Sequence, residues 1–403
     1  MTTTNPGRAC VLPPGWTATP LSNVAEVNPP RSLQRGASAP FADMAAVDAV
    51  LPRLGALGAR TYQGSGSRFQ NGDVLIARIS PSLENGKAAL VDGLPAGEVG
   101  FGSTELTVLC PRLTTPEFLY YLLKWEGVRA LLIARLVGTS GRLRVPAAAW
   151  AEVLVAVPGL PEQARIARIL ARVDGAIAAA QALEAQLREV RSALAHELFA
   201  PTHPQRRGDE LFSLGGGYSP SAVQVDPCGD TLFLKVEDLA HPENRWGVRT
   251  ASLRFRAKEH PSIRTFAPGH LVFPKRGGAI AKNRVRVLLR DAAVDPNLMV
   301  LAPGPLLDPH YFAELLQHRG LSSFAYDAGI PQINHHHLYP VRFAVPPREL
   351  QRALGHALTT FDQRLELEQS WQEALLELRS VLMTALFTGQ LRASVIEALP
   401  LRE

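Results

Sequence analysis

Residues 162–199 and 349–388 are two long stretches without proline, each with a single glycine, Gly175 and Gly355. In both, apolar residues recur at mixed steps of three and four, the spacing that gathers them on one face of an α-helix. Each would form a rod of roughly 57 Å at about 1.5 Å per residue. That is longer than a helix of an ordinary globular domain and calls for a bundle or coiled-coil partner. The two stretches also repeat each other. Adding 188 carries Leu170 to Leu358, Val173 to Phe361, Asp174 to Asp362, Ile177 to Leu365, Leu183 to Trp371, Leu187 to Leu375, Val190 to Leu378, Leu194 to Leu382, Leu198 to Leu386 and Phe199 to Phe387, with no gap. Such a register marks an internal duplication. Trp371, on the stripe, is expected in the core.

The repetition continues upstream. Leu154, Val155, Ala156, Val157 and Pro158 stand opposite Arg342, Phe343, Ala344, Val345 and Pro346 at the same offset. Thr115-Pro116-Glu117-Phe118-Leu119 matches Asp308-Pro309-His310-Tyr311-Phe312, and Phe41-Ala42-Asp43-Met44 matches Phe233-Leu234-Lys235-Val236. Residues 69–76 match 266–273. Upstream offsets drift between 192 and 197, so loops differ in length within one framework. Short β-rich segments bounded by Gly, Pro and Asn are expected at 73–79, 88–91, 105–109 and 153–157, and again at 232–236, 270–274, 285–289 and 298–301. A helical pair is expected at 116–137 and a helix at 309–319. The predicted class is α+β, with two loop-rich globular domains separated by two long helices. The predicted boundaries are a first domain at 1–158, a helical spacer at 159–203, a second domain at 204–346, a distal spacer at 347–392 and a tail at 393–403, with 200–210 as the linker between repeats. If the helices pair antiparallel, the domains are related by a pseudo-twofold axis and held at a fixed separation. A duplex that turns every ~34 Å could then meet both.

Composition narrows the class. With 46% hydrophobic residues the chain can build real cores, which rules out wholesale disorder. No apolar run approaches the ~18–20 residues of a membrane helix, and Met1-Thr2-Thr3-Thr4 opens no signal peptide, so a cytoplasmic location is expected. Cys10, Cys110 and Cys228 lie too far apart for a disulfide framework or a zinc site. The net charge of +5 permits a nucleic-acid partner without requiring one. Of 42 cations only six are lysine, leaving 36 arginines, whose fork suits phosphates and guanine edges. Acidic residues on the helices, such as Glu184, Glu189, Glu366, Glu368 and Glu373, offset locally basic segments elsewhere.

The stretch Val157-Pro158-Gly159-Leu160-Pro161-Glu162-Gln163-Ala164-Arg165-Ile166-Ala167, with Leu170 and Val173-Asp174, resembles the start of the central helix in specificity subunits of type I restriction–modification systems. Leu12-Pro13-Pro14-Gly15-Trp16 followed by Leu21-Ser22-Asn23-Val24 resembles the opening of that family's first target-recognition domain. Gly100-Phe101-Gly102-Ser103-Thr104-Glu105-Leu106, Gly138-Thr139-Ser140-Gly141-Arg142 and Gly329-Ile330-Pro331-Gln332-Ile333-Asn334-His335 are further phrases of the same kind, and the resemblance spans nearly all of 12–391 in the family's order. Two departures stand out. The second helix opens with Pro346-Pro347-Arg348-Glu349-Leu350 and lacks the Pro-Glu-Gln phrase, and the second domain opens at Asp209-Glu210-Leu211-Phe212 without Gly-Trp. The resemblance implies a non-catalytic subunit whose two domains each read one half of a split double-stranded DNA sequence. The short linker favours an antiparallel coiled coil of the two helices, and the resemblance implies that they space the domains and dock two methyltransferase subunits, which bring S-adenosylmethionine; a motor–nuclease subunit can join. The docking surface is expected around Pro161, Glu162, Gln163, Asp174 and Asp362.

No catalytic motif competes with this. Asn28-Pro29-Pro30 echoes an amino-methyltransferase loop, but Arg31 replaces the aromatic that would stack on a flipped base, and no glycine-rich cofactor turn accompanies it. Gly86-Lys87-Ala88 lacks the upstream glycine and the hydroxyl residue of a phosphate-binding loop. His335-His336-His337 has no second ligand pair nearby, so no metal is expected, and the segment is predicted as a polar loop leading to the strand before Val341. The expected DNA contacts are Arg78, Ser80, Lys87, Arg142 and Arg144 in the first domain, and Lys275, Arg276, Lys282, Arg284, Gln332, Asn334 and His335 in the second, with Arg286 in the same basic segment. Such cations neutralise phosphates or fork to guanine, and amides address adenine. The same architecture admits a second reading, a duplicated helical adaptor that holds two protein partners without reading DNA.

Overall fold

The computed structural model describes residues 12–139, 143–200, 202–326 and 329–397. The chain forms two compact units, Met1–Ala182 with Gln369–Glu403, and Leu183–Glu368. The two long helices, α5 (Leu160–Leu198) and α9 (Arg348–Phe387), each contribute one part to each unit. No helix among the described residues is long and apolar enough to cross a membrane.

In the first unit, β1 (Trp16–Pro20) pairs antiparallel with β10 (Leu154–Pro158), the strand that runs directly into α5. Helix α1 (Leu21–Val24) leads to β2 (Ala25–Val27). A four-stranded antiparallel sheet has the order β2, β9 (Leu106–Pro111), β6 (Val74–Ala77), β7 (Ala88–Leu90). A second sheet has the order β4 (Gly58–Thr61), β3 (Ser38–Ala42), β8 (Gly100–Gly102), β5 (Ser67–Phe69), with β3 and β8 parallel. The predicted helical pair is α2 (Pro116–Lys124) and α3 (Glu126–Ile133), and α4 (Ala149–Glu152) precedes β10. Thr115 caps α2, its hydroxyl accepting from the Phe118 N–H at 3.2 Å, with Pro116 preset for the first turn. The apolar faces of the first sheet, α2 and α5 share one core with Met383, Leu386 and Phe387 of α9. The turn after α9 and α10 (Ala393–Glu397) fold onto the same unit, where Arg392 donates to the Pro14 carbonyl and Ala393 is fully buried.

The second unit repeats these parts. β11 (Gln205–Arg207) pairs with β19 (Arg342–Ala344), and α6 (Gly208–Leu211) follows. The larger sheet runs β12 (Phe212–Gly215), β18 (Leu298–Pro303), β15 (Leu271–Pro274), β16 (Arg286–Val287). The smaller runs β14 (Leu253–Phe255), β13 (Thr231–Leu234), β17 (Ala292–Val294), again with its inner pair parallel. α7 (Pro309–Arg319) is capped by Asp308 and has Pro309 in its first turn, as α2 has Pro116. Even ring contacts recur: Phe118 meets Phe387 at 5.4 Å in one unit, and Tyr311 meets Phe199 at 5.5 Å in the other.

Within each unit the helix parts run antiparallel. In the first, Asp174 pairs with Arg379 while Ile177 packs on Leu375. In the second, Arg191 pairs with Asp362 while Leu194 and Leu198 pack against the core that contains Leu354 and Leu358. Three expectations need correction. The 200–210 linker contains β11 and α6; its strand is short and charged and so lacks an alternating apolar signature. Trp371 is not a core residue but 56% exposed, and Leu183, Val190 and Leu378 of the same stripe are also exposed. A two-helix seam covers only the side facing the neighbour, so a stripe wider than the seam stays open. The triple histidine opens a short helix, α8 (His335–Leu338), and is not a loop, because Asn334 and His337 form a reciprocal cap.

Candidate nucleic-acid interface

The second unit brings its two predicted segments together. After β15 the chain makes a 3-10 turn over Gly277–Lys282, closed by Asn283 in the left-handed region at φ 53°. Arg276 forms a β-bridge to Gln332, the Gly277 N–H donates to the Pro331 carbonyl at 2.8 Å, and the Ile333 N–H donates to the Lys275 carbonyl at 2.9 Å. Fully buried Ile333 pins this crossing to the core. Around it, Arg276 and Lys282 are exposed and form no ion pair among the described residues. Lys275 is half-buried, and burial, then Arg276, lowers its pKa. The Gln332 amide donates to the Asn334 side-chain oxygen at 3.2 Å, which orients both amides, and His335 is exposed beside Tyr339. Added Cβ atoms at Gly277 or Gly278 would meet nothing within 4 Å, so backbone here is open to close approach. Arg284 is half-buried. Arg286 turns inward instead, donating to the Val285 carbonyl and the Gln317 side chain.

The first unit builds the equivalent crossing. Arg144 bridges Ile79 and Val137 as Gln332 bridges Arg276 and Tyr326. The Ser80 N–H donates to the Leu143 carbonyl and the Val145 N–H to the Arg78 carbonyl. Arg142 lies outside the described residues. Here two of the predicted DNA-contact cations, Arg144 and Lys87, are also engaged internally. Arg144 clamps Glu105 with two hydrogen bonds of 2.7 and 2.5 Å, and that bond holds the Glu105 carboxyl below its usual range. The Lys87 ammonium donates to the Met44 carbonyl at 2.7 Å and tethers the loop after β3. Arg78 is half-buried, its Nε enclosed without an acceptor.

Two of the residues expected to meet a protein partner also have other work. Gln163 is 1% exposed: its oxygen accepts from the Thr114 hydroxyl and the Thr115 N–H, and its nitrogen donates to the Leu113 and Pro158 carbonyls. Asp174 is 3% exposed, accepting from the Tyr121 hydroxyl at 2.7 Å and pairing with Arg379 at 2.8 Å. Both are internal fastenings and cannot face a partner. Pro161 is exposed in the first turn of α5, Glu162 is half-buried beside Arg165, and Asp362 is partly exposed against Arg191. Gln351, 188 positions after Gln163, was missed by the sequence reading. It accepts from the Asp308 N–H and donates to the Leu306 and Pro346 carbonyls. The offset itself was the signal that could have found it. No cluster of three or more potential metal ligands occurs among the described residues.

No protein-family model matches the chain. Over 161 residues, 38% of its length, it is 31% identical to the type I restriction enzyme EcoAI specificity subunit of Escherichia coli. Over 166 residues it is 31% identical to the EcoEI specificity subunit of the same organism. The similarity is to type I specificity subunits. The chain spans about a quarter, 27%, of the length of these curated relatives. In fold, it resembles a type I restriction–modification S subunit from M. genitalium, with a TM-score of 0.55 at 15% identity, covering 96% of this chain and 98% of that one. It also resembles a chain from structural work on complex assembly and conformational transition of the type I R-M system, with a TM-score of 0.54 at 19% identity, covering 94% and 99%.

Proposed function

We propose that this chain is the DNA sequence-specificity subunit of a type I restriction–modification assembly. The observation that carries the reading is the duplication of one β-sheet unit, crossing loops included, with each copy running directly into a long helix. Similarity to specificity subunits over part of the chain supports it. In this reading each unit addresses one half of a split duplex target, and the helices set the spacing and dock two methyltransferase subunits. Those subunits supply S-adenosylmethionine and the catalytic site; this chain itself carries no chemistry, and a motor–nuclease subunit can complete the assembly. The workplace is the cytoplasm, where the DNA is. Exposed apolar residues on each long helix, Leu183 and Val190 on α5 and Trp371 and Leu378 on α9, support docking on the helices, since uncovered apolar side chains are what a partner buries. Arg276 and Lys282 support phosphate contact at the second crossing, and the Gln332 and Asn334 amides suit adenine edges.

Equilibrium binding to duplex DNA, measured with the methyltransferase partner across a salt series, tests this. Affinity should fall steeply and linearly on a log–log plot, as counterion release requires, and should select one bipartite sequence. Negligible affinity at low salt would leave the helical adaptor as the better description.

A further inference from the structure

The first unit raises a question that the second does not. Two of its predicted cations, Arg144 and Lys87, are held by Glu105 and by the Met44 carbonyl, which directs attention to a further surface of this unit. We propose that the β3–β4 ribbon of the first unit reads base edges in the major groove, with Arg60 contacting a guanine and Gln63 beside it. This rests on the DNA-specificity reading above.

Four observations converge on this ribbon. β4 is the edge strand of its sheet, and all four of its residues are exposed, so neither of its faces is covered. A surface strand buried on neither side gains little from packing; what it offers is access. Arg60 holds its guanidinium 4.1 Å from the centre of the Phe41 ring, and its side chain makes no hydrogen bond or ion pair among the described residues. The ring holds the guanidinium close while its N–H groups have no partner among the described residues, and such a fork can meet the two acceptors of guanine. The support beneath is rigid, with Phe101 5.0 Å from Phe41 and 5.1 Å from buried Tyr62. The surroundings are small and polar. Gly58, where an added Cβ would touch nothing within 4 Å, Ala59 and Thr61 flank Arg60 on the strand. A shallow groove of about 460 Å³ beside it is lined by Arg60, Thr61, Gln63, Ser65, Ser103 and Thr104, among others. A two-stranded ribbon fits a major groove of about 12 Å, and small neighbours let it seat deeply. The corresponding strand of the second unit, β14, is half-buried and ends in fully buried Phe255, so the device is not duplicated.

The experiment uses the full chain with its methyltransferase partner and a panel of duplexes carrying single base-pair changes across the split target. Arg60→Ala should lose about ten- to a hundredfold of discrimination at one G·C pair in one half, with the other half read as before. Arg60→Lys should keep more affinity than the alanine variant yet fail to restore that discrimination, because an ammonium cannot fork. Gln63→Ala should relax a neighbouring position, and all three variants should melt as the wild type does. A uniform loss of affinity over all duplexes, rescued by lysine and accompanied by a salt slope lower by about one, would make Arg60 a phosphate contact and overturn the proposal. So would variants that discriminate as the wild type does. If the wild-type assembly itself showed no base preference, the specificity reading would fall first and this one with it.

Discussion

At 174 and again at 362, an aspartate of one long helix meets an arginine of the other, Arg379 at 2.8 Å and Arg191 at 2.6 Å. Both members are related by the same 188 positions, so the duplication is legible at the level of a single ion pair. The surroundings have diverged. Where Tyr121 donates to Asp174, Glu314 stands in the second unit, accepts from Arg191 and is pushed toward protonation by burial. Lys124 shows a cost of such packing. Its ammonium is buried and donates to the Ala49 and Gly86 carbonyls, and burial, with Arg379 and Arg129 close by, lowers its pKa to about 7 against the pull of Asp174 and Asp48. Between that pKa and the ordinary 10.5, the unfolded chain keeps a proton that the folded chain has released, so this residue makes stability rise with pH over that window and penalises folding fully below it. Urea unfolding at a series of pH values from 7 to 10 should show a shallower rise for Lys124→Met than for wild type; parallel curves would contradict the assignment.

At the scale of elements, the junction where a strand becomes a long helix is built the same way twice. Gln163 and Gln351 each bind the carbonyl of the proline that ends the approach, Pro158 or Pro346, and a backbone N–H at the cap of the neighbouring helix. One amide thereby joins sheet, α2 or α7, and the first turn of α5 or α9. Its removal strands several buried groups, each worth about 1–3 kcal/mol when unsatisfied. Gln163→Ala and Gln351→Ala should therefore each destabilise by about 3 kcal/mol in calorimetry or denaturant unfolding. Gln163→Glu should cost more, since a carboxylate would face the Leu113 and Pro158 carbonyls. Change within about 0.5 kcal/mol would show that water replaces the amide. The second glutamine was hidden in the sequence because the family phrase surrounding it is altered, although the residue that performs the fastening is kept.

At the scale of the whole molecule, each unit needs a stretch of helix from the other repeat. A chain of residues 1–203 keeps the sheets of the first unit but lacks Met383, Leu386 and Phe387, which complete its core, and Arg379, which neutralises Asp174. In repeat terms the missing residues correspond to Ala195, Leu198, Phe199 and Arg191 of that same fragment. A second copy can supply them, so the fragment should sediment as a homodimer and dissociate when Asp174 is changed to Asn. A monomer that unfolds cooperatively at wild-type temperature would refute this.

The sequence alone determined the duplication, the long helices, the α+β class and most core strands, because these rest on periodicity and register that survive divergence at single positions. α7 falls on 309–319 as expected, and 298–301 and 270–274 lie within a residue or two of their strands. Tertiary structure decided which polar residues are available. Arg144, Lys87, Gln163 and Asp174 carry the right chemistry for contact, yet each is consumed by a partner far away in sequence. Arg60, in a short edge strand without apolar alternation, is left open because no described residue covers β4 and the Phe41 ring lies beneath its guanidinium. Hydrogen bonding and burial are properties of neighbours in space, and a pattern along the chain does not record them.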